Sequence, residues 1–493
     1  MTVSQAAQGQ EAYETVIGLE IHAELATNSK MFCGCPVSFG EAPNTRTCPV
    51  CLGEPGSLPV VNERAVRDGI AMGLALECRI AEHCQFHRKN YFYPDMPKNY
   101  QISQYDEPLC IGGHLDIQVD GQTRRIGVTR VHLEEDTGKT IHASKTGRIH
   151  GAEYALENYN RAGIPLMEIV SEPDLRSPEE ARAYVVELRA ILLALGICDA
   201  KMEEGSLRCD ANLSLRRPGA SELGTKVEVK NVNSLRSLYR ALCYEVERQI
   251  AALEAGGALV QETRHFDENT GATVPLRSKE EATDYRYFPE PDLVPLAPSR
   301  EWVEEIRASL SELPAAARTR LRKTYSLPEQ DVAVIASSSA GIAFFEELAG
   351  GRDAKLAANW MIGDFTGRLN ERGLEISGSP VPAAALGELV DLISRGTLSG
   401  NSAKEVLGAM FETGKPAGAV VEERGLAQIS DLGEIERIAR EVLDANPDIV
   451  AKFRDGKETV LGALVGQVMR ATKGRANPQA ANDLLRRLIS EGA

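Results

Sequence analysis

The sequence has no long apolar run. Nothing approaches the ~18 consecutive apolar residues a membrane span needs, and the best stretch, Ala190 to Cys198, has the length of a core segment. It has no excess of base. Lys and Arg number 55 against 71 Asp and Glu, a net charge of −16. That excludes a protein that coats nucleic acid non-specifically, since counterion release needs cations facing phosphates. A specific RNA partner held by a local basic patch stays open. No secretory leader is expected. Met1 to Ala12 is polar, with neither a basic nor an apolar region, so a floppy leader and a cytoplasmic location are expected. Gly (43) and Pro (24) are near average, which excludes collagen-like and disordered classes. Internal repeats and low-complexity tracts are also lacking.

What is there is a soluble globular composition: 493 residues, 43% hydrophobic, 26% charged and only 5% aromatic. At roughly 100–200 residues per domain, two to four domains are expected.

The ten cysteines are unevenly spread. Cys33-Gly34-Cys35 is followed, twelve residues on, by Cys48-Pro49-Val50-Cys51. Thiolates at such spacing can wrap one tetrahedral Zn²⁺. Four thiolates close the shell, so the zinc would be structural. The alternatives are two disulfides, which a cytosolic chain disfavours, or four buried thiols. Cys78, Cys84, Cys110, Cys198, Cys209 and Cys243 stand singly in apolar surroundings and are expected mostly in the core.

The first half alternates with period two. In Val16 to Leu25, Leu19, Ile21, Ala23 and Leu25 point one way and Glu20, His22 and Glu24 the other, as in a half-buried strand. Ser206 to Leu215 sets Leu207, Cys209, Ala211, Leu213 and Leu215 opposite Arg208, Asp210 and Asn212. Thr225 to Lys230 and Gly127 to Leu133 read as further strands. Ser177-Pro178-Glu179-Glu180 is an N-cap, a first-turn proline and a capping-box Glu, opening a helix to Leu195 with Gly196 as its stop. A second helix is expected from Ser234 to Ala255. Pro289, Pro291, Pro295 and Pro298 suggest a linker. Beyond Arg300 the spacing is helical from Trp302 to Leu369 and from Ala383 to Phe411. A further break falls at Gly414 to Gly418. The fold class is therefore α+β, with domains at 1–296, 297–418 and 419–493, the last two all-helical.

Two phosphate-loop look-alikes fail. Thr137-Gly138-Lys139-Thr140 has Leu133 where the first glycine should stand, and Gly414-Lys415 is followed by Pro416. No G-x-S-x-G elbow and no H-E-x-x-H occur. The stronger signal is acids on strands. Glu20 and His22 share a face, and His132, Glu134 and Asp136 form a second such run. Glu168 lies inside Ile164 to Val170, apolar on both sides. Burying a lone carboxylate there costs several kcal/mol unless it is paired or metal-bound. Asp210 lies on the polar face of its strand. Carboxylates with a histidine and no thiolate suit Mg²⁺ or Mn²⁺; solvated faces or ion pairs are the alternative. Arg88 to Gln101 interleaves bases with aromatics, fit for phosphates and a base, or else is a proline-kinked loop. Arg470, Lys473, Arg475, Arg486 and Arg487, facing only Asp483 and Glu491, form a candidate RNA-backbone patch or an ordinary helix face.

Glu14 to His22, Arg88 to Gln104, Asn160-Arg161 through Pro165 to Pro173, and Met202 to Asn212 closely resemble one family: the B subunits of bacterial-type, three-subunit glutamyl/aspartyl-tRNA amidotransferases. The resemblance runs from about Tyr13 to Ile489. Asn158 departs from it, because members often carry Asp there. The archaeal-type relatives carry an inserted synthetase-like domain that does not fit in 493 residues.

The resemblance implies a cradle-shaped N-terminal domain that holds the 3′ end of misacylated Glu-tRNA(Gln) or Asp-tRNA(Asn), and a tail that meets the tRNA body. It implies a carbon–nitrogen ligase. ATP phosphorylates the side-chain carboxylate, and ammonia then displaces phosphate. A partner amidase (the A subunit) makes the ammonia from glutamine, and a small linker (the C subunit) completes a heterotrimer. His22, Glu134 and Glu168 match the family's Mg²⁺ ligands. Glu20 would act through water or a second ion, with Asp210 and Glu228 as further members and Lys89 and Lys98 as phosphate contacts. Cys33, Cys35, Cys48 and Cys51 match the zinc cluster that some members keep. No amidase-type Ser-rich glycine loop and no catalytic Cys-His pair is recognisable, so glutamine hydrolysis is expected elsewhere. The competing readings are a non-catalytic tRNA-binding scaffold of the same complex and a stand-alone metal-dependent hydrolase or kinase.

Overall fold

A computed structural model describes residues 13–143, 152–278, 284–426, 432–455, 457–472, 476 and 478–491. The leader therefore lies outside the described residues, as do Lys473 and Arg475. The chain divides into two compact units, Met1–Pro314 and Ala315–Ala493.

Period-two alternation builds the first unit. Its strands are β1 (Glu14–Glu24), β2 (Arg79–Ile80), β3 (His87–Asn90), β4 (Tyr100–Ser103), β5 (Cys110–Ile111), β6 (His114–Val119), β7 (Gln122–Glu135), β8 (Lys139–His142), β9 (Ala155–Asn158), β10 (Pro165–Ser171), β11 (Leu207–Arg216), β12 (Val227–Lys230), β13 (Glu262–Asp267), β14 (Ala272–Ser278) and β15 (Phe288–Pro289). Ten of them form one sheet in the order β14-β13-β12-β11-β1-β10-β7-β5-β2, with β6 on β7. Every pairing in it is antiparallel except β12 with β13. Strands β15-β3-β4 and β8-β9 make two small sheets.

One face of the large sheet is apolar. Ile17, Leu19, Ile21 and Ala23 of β1 and Cys209, Ala211 and Leu213 of β11 are buried in a single core. Three helices cover them: α1 (Glu63–Ala75), α2 (Pro178–Leu195) and α3 (Leu235–Glu254). Helix α2 begins and ends as expected, with Ser177 Oγ accepting from Glu180 N at 3.1 Å and Gly196 left-handed at φ 66°. The Glu180 carboxylate differs from a capping box, because it accepts from Arg176 N at 2.7 Å instead of Ser177 N. Gly138, of the phosphate-loop look-alike, has a packing reason: a Cβ there would meet Asp95 O at 2.9 Å.

The proline-punctuated stretch is pinned to this unit and is no free linker. Strand β15 pairs with β3, and Cys84 and Leu296 exchange backbone hydrogen bonds of 2.9 and 2.8 Å. Glu290 is buried and accepts a forked pair from Arg88 at 2.7 and 2.8 Å. Turn chemistry shows in the sequence, but that buried ion pair does not. The unit runs on through helix α4 (Arg300–Ser309), which packs on α1 through Ile306, to Pro314.

The second unit is helical among its described residues and has two apolar clusters, Leu321 to Val421 and Ile435 to Ile489. Gly414 is a left-handed helix stop, and Val420 and Val421 of the next helix still belong to the first cluster. The tail arginines meet acids from other helices: Arg486 with Glu458 (3.2 Å) and Arg487 with Glu436 (3.3 Å). The patch read locally as facing only Asp483 and Glu491 is therefore partly neutralised. Among the described residues, no single helix is long and apolar enough to cross a membrane.

Helix α3 is locked to the sheet edge by one buried carboxylate. Glu245 accepts from Arg248 (2.6 Å), Gln249 (2.9 Å) and Thr273 (2.8 Å), with Arg264 3.5 Å away. Glu245→Ala leaves buried cations short of an anion and should cost about 3 kcal/mol. The measurement is the unfolding midpoint read from Trp302 fluorescence in a Trp360→Phe background; an unchanged midpoint would refute it.

Candidate metal centres of the first unit

Antiparallel register sets the polar face of the sheet. On β1, β10 and β7, His22 stands opposite Glu168 and Glu168 opposite His132; on β11, Arg208 stands opposite His22. Glu134 lies two residues beyond His132, on the same face. His22 Nε2 is 3.4 Å from Glu168 Oε2 and 3.7 Å from Glu134 Oε1. One ligand atom from each of the three lies within 4.8 Å of the others. The buried carboxylate that the sequence left unexplained is thus flanked by two imidazoles.

Burial opposes charge on His22, but the Glu168 carboxylate, helped by Glu134 and Asp210, outweighs it and raises the imidazole above its ordinary value. Burial likewise opposes charge on Glu168, yet His132 and His22 hold its carboxyl well below the usual range. Such an anionic, partly neutralised pair facing a histidine suits a hard divalent cation that keeps some waters. His132 is better placed to orient than to ligate. Arg130 Nε donates to its Nδ1 at 3.3 Å, which leaves Nε2–H to face Glu168 Oε2 at 3.3 Å. Ser103 Oγ donates to Glu134 Oε2 at 2.9 Å. These supports hold the ligand oxygens in place.

The other predicted residues separate. Glu20 is on the same face but accepts from Asn212 Nδ2 at 3.0 Å. Asp210 and Glu228 clamp Lys230, at 2.5 and 3.1 Å, and do not join the cluster. Lys98 is ion-paired with buried Glu135 and so is not a free phosphate contact. Arg88 is likewise committed to Glu290. Lys89 is the lysine that faces the site. Its ammonium lies 5.0 Å from the Tyr285 ring centre, and although burial opposes its charge, the Glu134, Tyr and Glu168 groups raise its pKa. The single-residue reading missed a second buried group: Asp136 pairs with Arg208 and, at 3.6 Å, with Arg161, and Arg208 reaches Glu24 at 3.4 Å. Burial and the neighbouring Asp136 push the Glu24 carboxyl up to about 8. The alternation of β1 and β7 put both acids on the polar face, but only tertiary pairing shows the arginines.

The four clustered cysteines converge, their sulfurs within 4.8 Å of one another. Cys48 N donates to Cys51 Sγ at 3.2 Å across the turn of Pro49–Leu52. The Cys33 thiol hydrogen bond, with Lys30 adding to it, holds the Cys51 thiol well below its ordinary value. Lys30 is 1% exposed, and its hydrogen-bond partners among the described residues are Cys51 Sγ (3.7 Å) and Tyr159 O (3.2 Å). A buried ammonium without a carboxylate needs another anion, and a tetrathiolate zinc centre supplies it. The donor set thus fits zinc, and the spacing reading of two disulfides does not fit a chain whose cysteines are all free. The cluster braces the Asn160-Arg161 loop. Arg46 N donates to Asn160 Oδ1 at 2.9 Å, and Asn44 N and Asn160 N donate to Asn158 Oδ1 at 3.2 and 3.1 Å. An amide oxygen at 158 therefore does what a carboxylate oxygen would.

Purified chain should carry one zinc, and Cys51→Ser should lower the zinc content at least tenfold, as read by elemental analysis. Full zinc in that variant would remove Cys51 from the shell.

The model of the GatB/GatE catalytic domain matches residues 15–304, and that of the GatB domain matches residues 343–489. A protein from Moorella thermoacetica, named as the B subunit of an aspartyl/glutamyl-tRNA(Asn/Gln) amidotransferase, is 57% identical over 475 residues, covering 96% of this chain and 99% of its own length. Proteins of the same name from Geobacter sulfurreducens (54% over 474 residues, 96% and 98%) and Caldanaerobacter subterraneus (53% over 480 residues, 97% and 100%) match equally broadly. With both domain models and nearly the full length matched, the chain belongs to the family of B subunits of the tRNA-dependent aspartyl/glutamyl amidotransferases.

Proposed function

We propose that this chain activates the side-chain carboxylate of glutamate or aspartate misacylated on tRNA(Gln) or tRNA(Asn), and completes its conversion to the amide. One observation carries the reading: His22, Glu134 and Glu168 converge on a single point of the sheet's polar face, with Lys89 beside them. A carboxylate is a poor acyl electrophile. Its oxygen attacks the γ-phosphorus of ATP, ADP leaves, and the acyl phosphate then has a good leaving group. Ammonia attacks the acyl carbon and phosphate departs, leaving Gln-tRNA or Asn-tRNA.

Phosphoryl transfer asks the protein for positioning and for positive charge around the phosphate oxygens. Mg²⁺ would be held by His22, Glu134 and Glu168 and would neutralise phosphate charge. His132 and Ser103 keep the two carboxylates aimed. Lys89 brings a second cation to the transferring group. Arg208, opposite His22 in register and paired with Asp136, adds positive charge beside Glu134. Nothing in the sequence offers an amidase nucleophile, so ammonia is assigned to a glutamine-hydrolysing partner, with a small third protein completing the complex. The relatives' designation as B subunits supports assembly with others. The body of the tRNA is assigned to the helices of residues 419–493.

The test is ADP release by the assembled complex with ATP, Mg²⁺ and ammonium chloride, comparing misacylated with uncharged tRNA. ADP formation should require the misacylated tRNA. His22→Ala and Glu168→Gln should each lower it by about 10² or more, as expected for loss of a charge-stabilising contact in the transition state. Wild-type rates in both variants would leave the chain a tRNA-binding scaffold. ADP formed without tRNA would indicate a hydrolase or kinase of small molecules.

A further inference from the structure

Of the three residues that converge on the candidate cation site, two are held by the sheet from both sides. His22 lies on β1 between β10 and β11, and Glu168 lies on β10 between β1 and β7. Glu134 differs. Its strand pairs with β10 as far as Glu135, but β5 on the other edge stops at Val131. Beyond Val131 no strand among the described residues pairs with that edge. Side-chain ties replace the missing ladder. Leu133 N donates to Gln104 Oε1 at 3.1 Å, Gln101 Nε2 donates to Glu135 O at 2.7 Å, and Ile102 N donates to Glu135 Oε1 at 2.9 Å.

The cysteine lobe stands behind these ties. Gly53, the left-handed stop (φ 70°) of the Pro49–Leu52 turn, lies against the stem of Lys98: a Cβ there would be 2.4 Å from Lys98 Cγ. The Lys98 ammonium in turn pairs with Glu135, and the two side chains are 6% and 3% exposed. Two further contacts reach the same end of β7. Met31 N donates to Gly163 O at 2.7 Å, and Gly163 N donates to Asp136 O at 2.8 Å. A Cβ on Gly163 would lie 3.5 Å from Cys51 Cβ, so this link also runs beside the cluster. Arg161, next to the braced Asn160, donates to Thr137 O at 3.0 Å and to Gly138 O at 2.7 Å. Glu135, Asp136, Thr137 and Gly138 follow Glu134 directly, and each is held from the cysteine side. A buried ion pair adds little net stability over apolar side chains of the same volume, so stability alone does not call for Lys98 and Glu135. What the pair does supply is a fixed position for the residue next to Glu134.

We propose that the cysteine lobe is the second clamp on Glu134 and that Lys98 is the positioning residue that transmits it, so that zinc held by Cys33, Cys35, Cys48 and Cys51 tightens the binding of a divalent cation by His22, Glu134 and Glu168. The inference rests on the reading of those three residues as a cation site and concerns what fixes its geometry. Without zinc the four thiols have nothing to converge on, and the turn that carries Gly53 is free to move off Lys98. Glu135 then follows Lys98, and Glu134 loses its aim. Metal ligands depend in this way on the groups that orient them. His22 and Glu168, laddered on both sides, stay in place, so the site is weakened without being dismantled. The coupling is reciprocal: whatever zinc does for the cation, the cation does for zinc retention.

The measurement is equilibrium binding of Mn²⁺, which suits the same ligands as Mg²⁺, to the assembled complex without nucleotide or tRNA, followed by the electron paramagnetic resonance of the ion. Glu168→Gln identifies the site, since binding there should be lost. Cys51→Ser, which sheds zinc, should raise the Mn²⁺ dissociation constant about tenfold, within the range of ordinary coupling between two sites. Lys98→Met alone would leave the Glu135 carboxylate buried and unpaired, at a cost in folding. The double variant Lys98→Met with Glu135→Gln avoids that cost and keeps the acceptor for Ile102 N. It should retain full zinc, by elemental analysis, and an unchanged melting temperature, and still bind Mn²⁺ about tenfold more weakly. A merely structural ion pair would not give that combination. A wild-type Mn²⁺ constant in zinc-free Cys51→Ser, or in the double variant, would overturn the inference and leave the cation site standing. A wild-type complex with no Mn²⁺ binding that Glu168→Gln removes would overturn the cation site itself, and the inference with it.

Discussion

Across β7, β10, β1 and β11, the side chains of His132, Glu168, His22 and Arg208 stand in one row because four antiparallel strands are in register. Strand side chains alternate, so a slip of one residue on any strand would send its polar set into the core and its apolar set to the surface. The apolar face is what prevents the slip. Ile17, Leu19, Ile21 and Ala23, with their neighbours on β11 and β10, fix the register by burial, and the acids are aimed as a consequence. The same alternation that stabilises the unit therefore sets the geometry of its candidate metal site.

Cationic and anionic groups on that face are partitioned into separate clusters. Lys230 takes Asp210 and Glu228, Lys98 takes Glu135, and Arg208 with Arg161 takes Asp136. Each pairing removes a carboxylate from competition for a cation. What remains together is His22, Glu134 and Glu168, with Lys89 held by an aromatic ring nearby.

Features decided by near neighbours were legible in the sequence. Alternation revealed β1 and β11, the Ser177-Pro178 start and Gly196 stop bounded α2, and cysteine spacing announced a cluster. Glu168 stood out because its own strand is apolar. Features decided by partners far along the chain were not. Asp210 looked like a ligand until Lys230 of the adjoining strand appeared, and Lys98 looked free until Glu135 did. The proline stretch looked loose because the sequence does not show that Arg88 folds over Glu290, 202 residues away. Arg486 and Arg487 looked unopposed because Glu458 and Glu436 come from other helices. In each case local sequence gives the chemistry of a side chain, and tertiary pairing decides whether that chemistry is already spent.

Lys30 carries a consequence for what the cysteine cluster does in this chain. Its side chain is sealed in beside Cys51, and a thiolate cluster there would be the anion that makes its burial tolerable. With the four cysteines replaced that counter-charge goes, and the lysine would face a desolvation cost of several kcal/mol. The sulfur cluster and the lysine beside it are therefore one electrostatic unit.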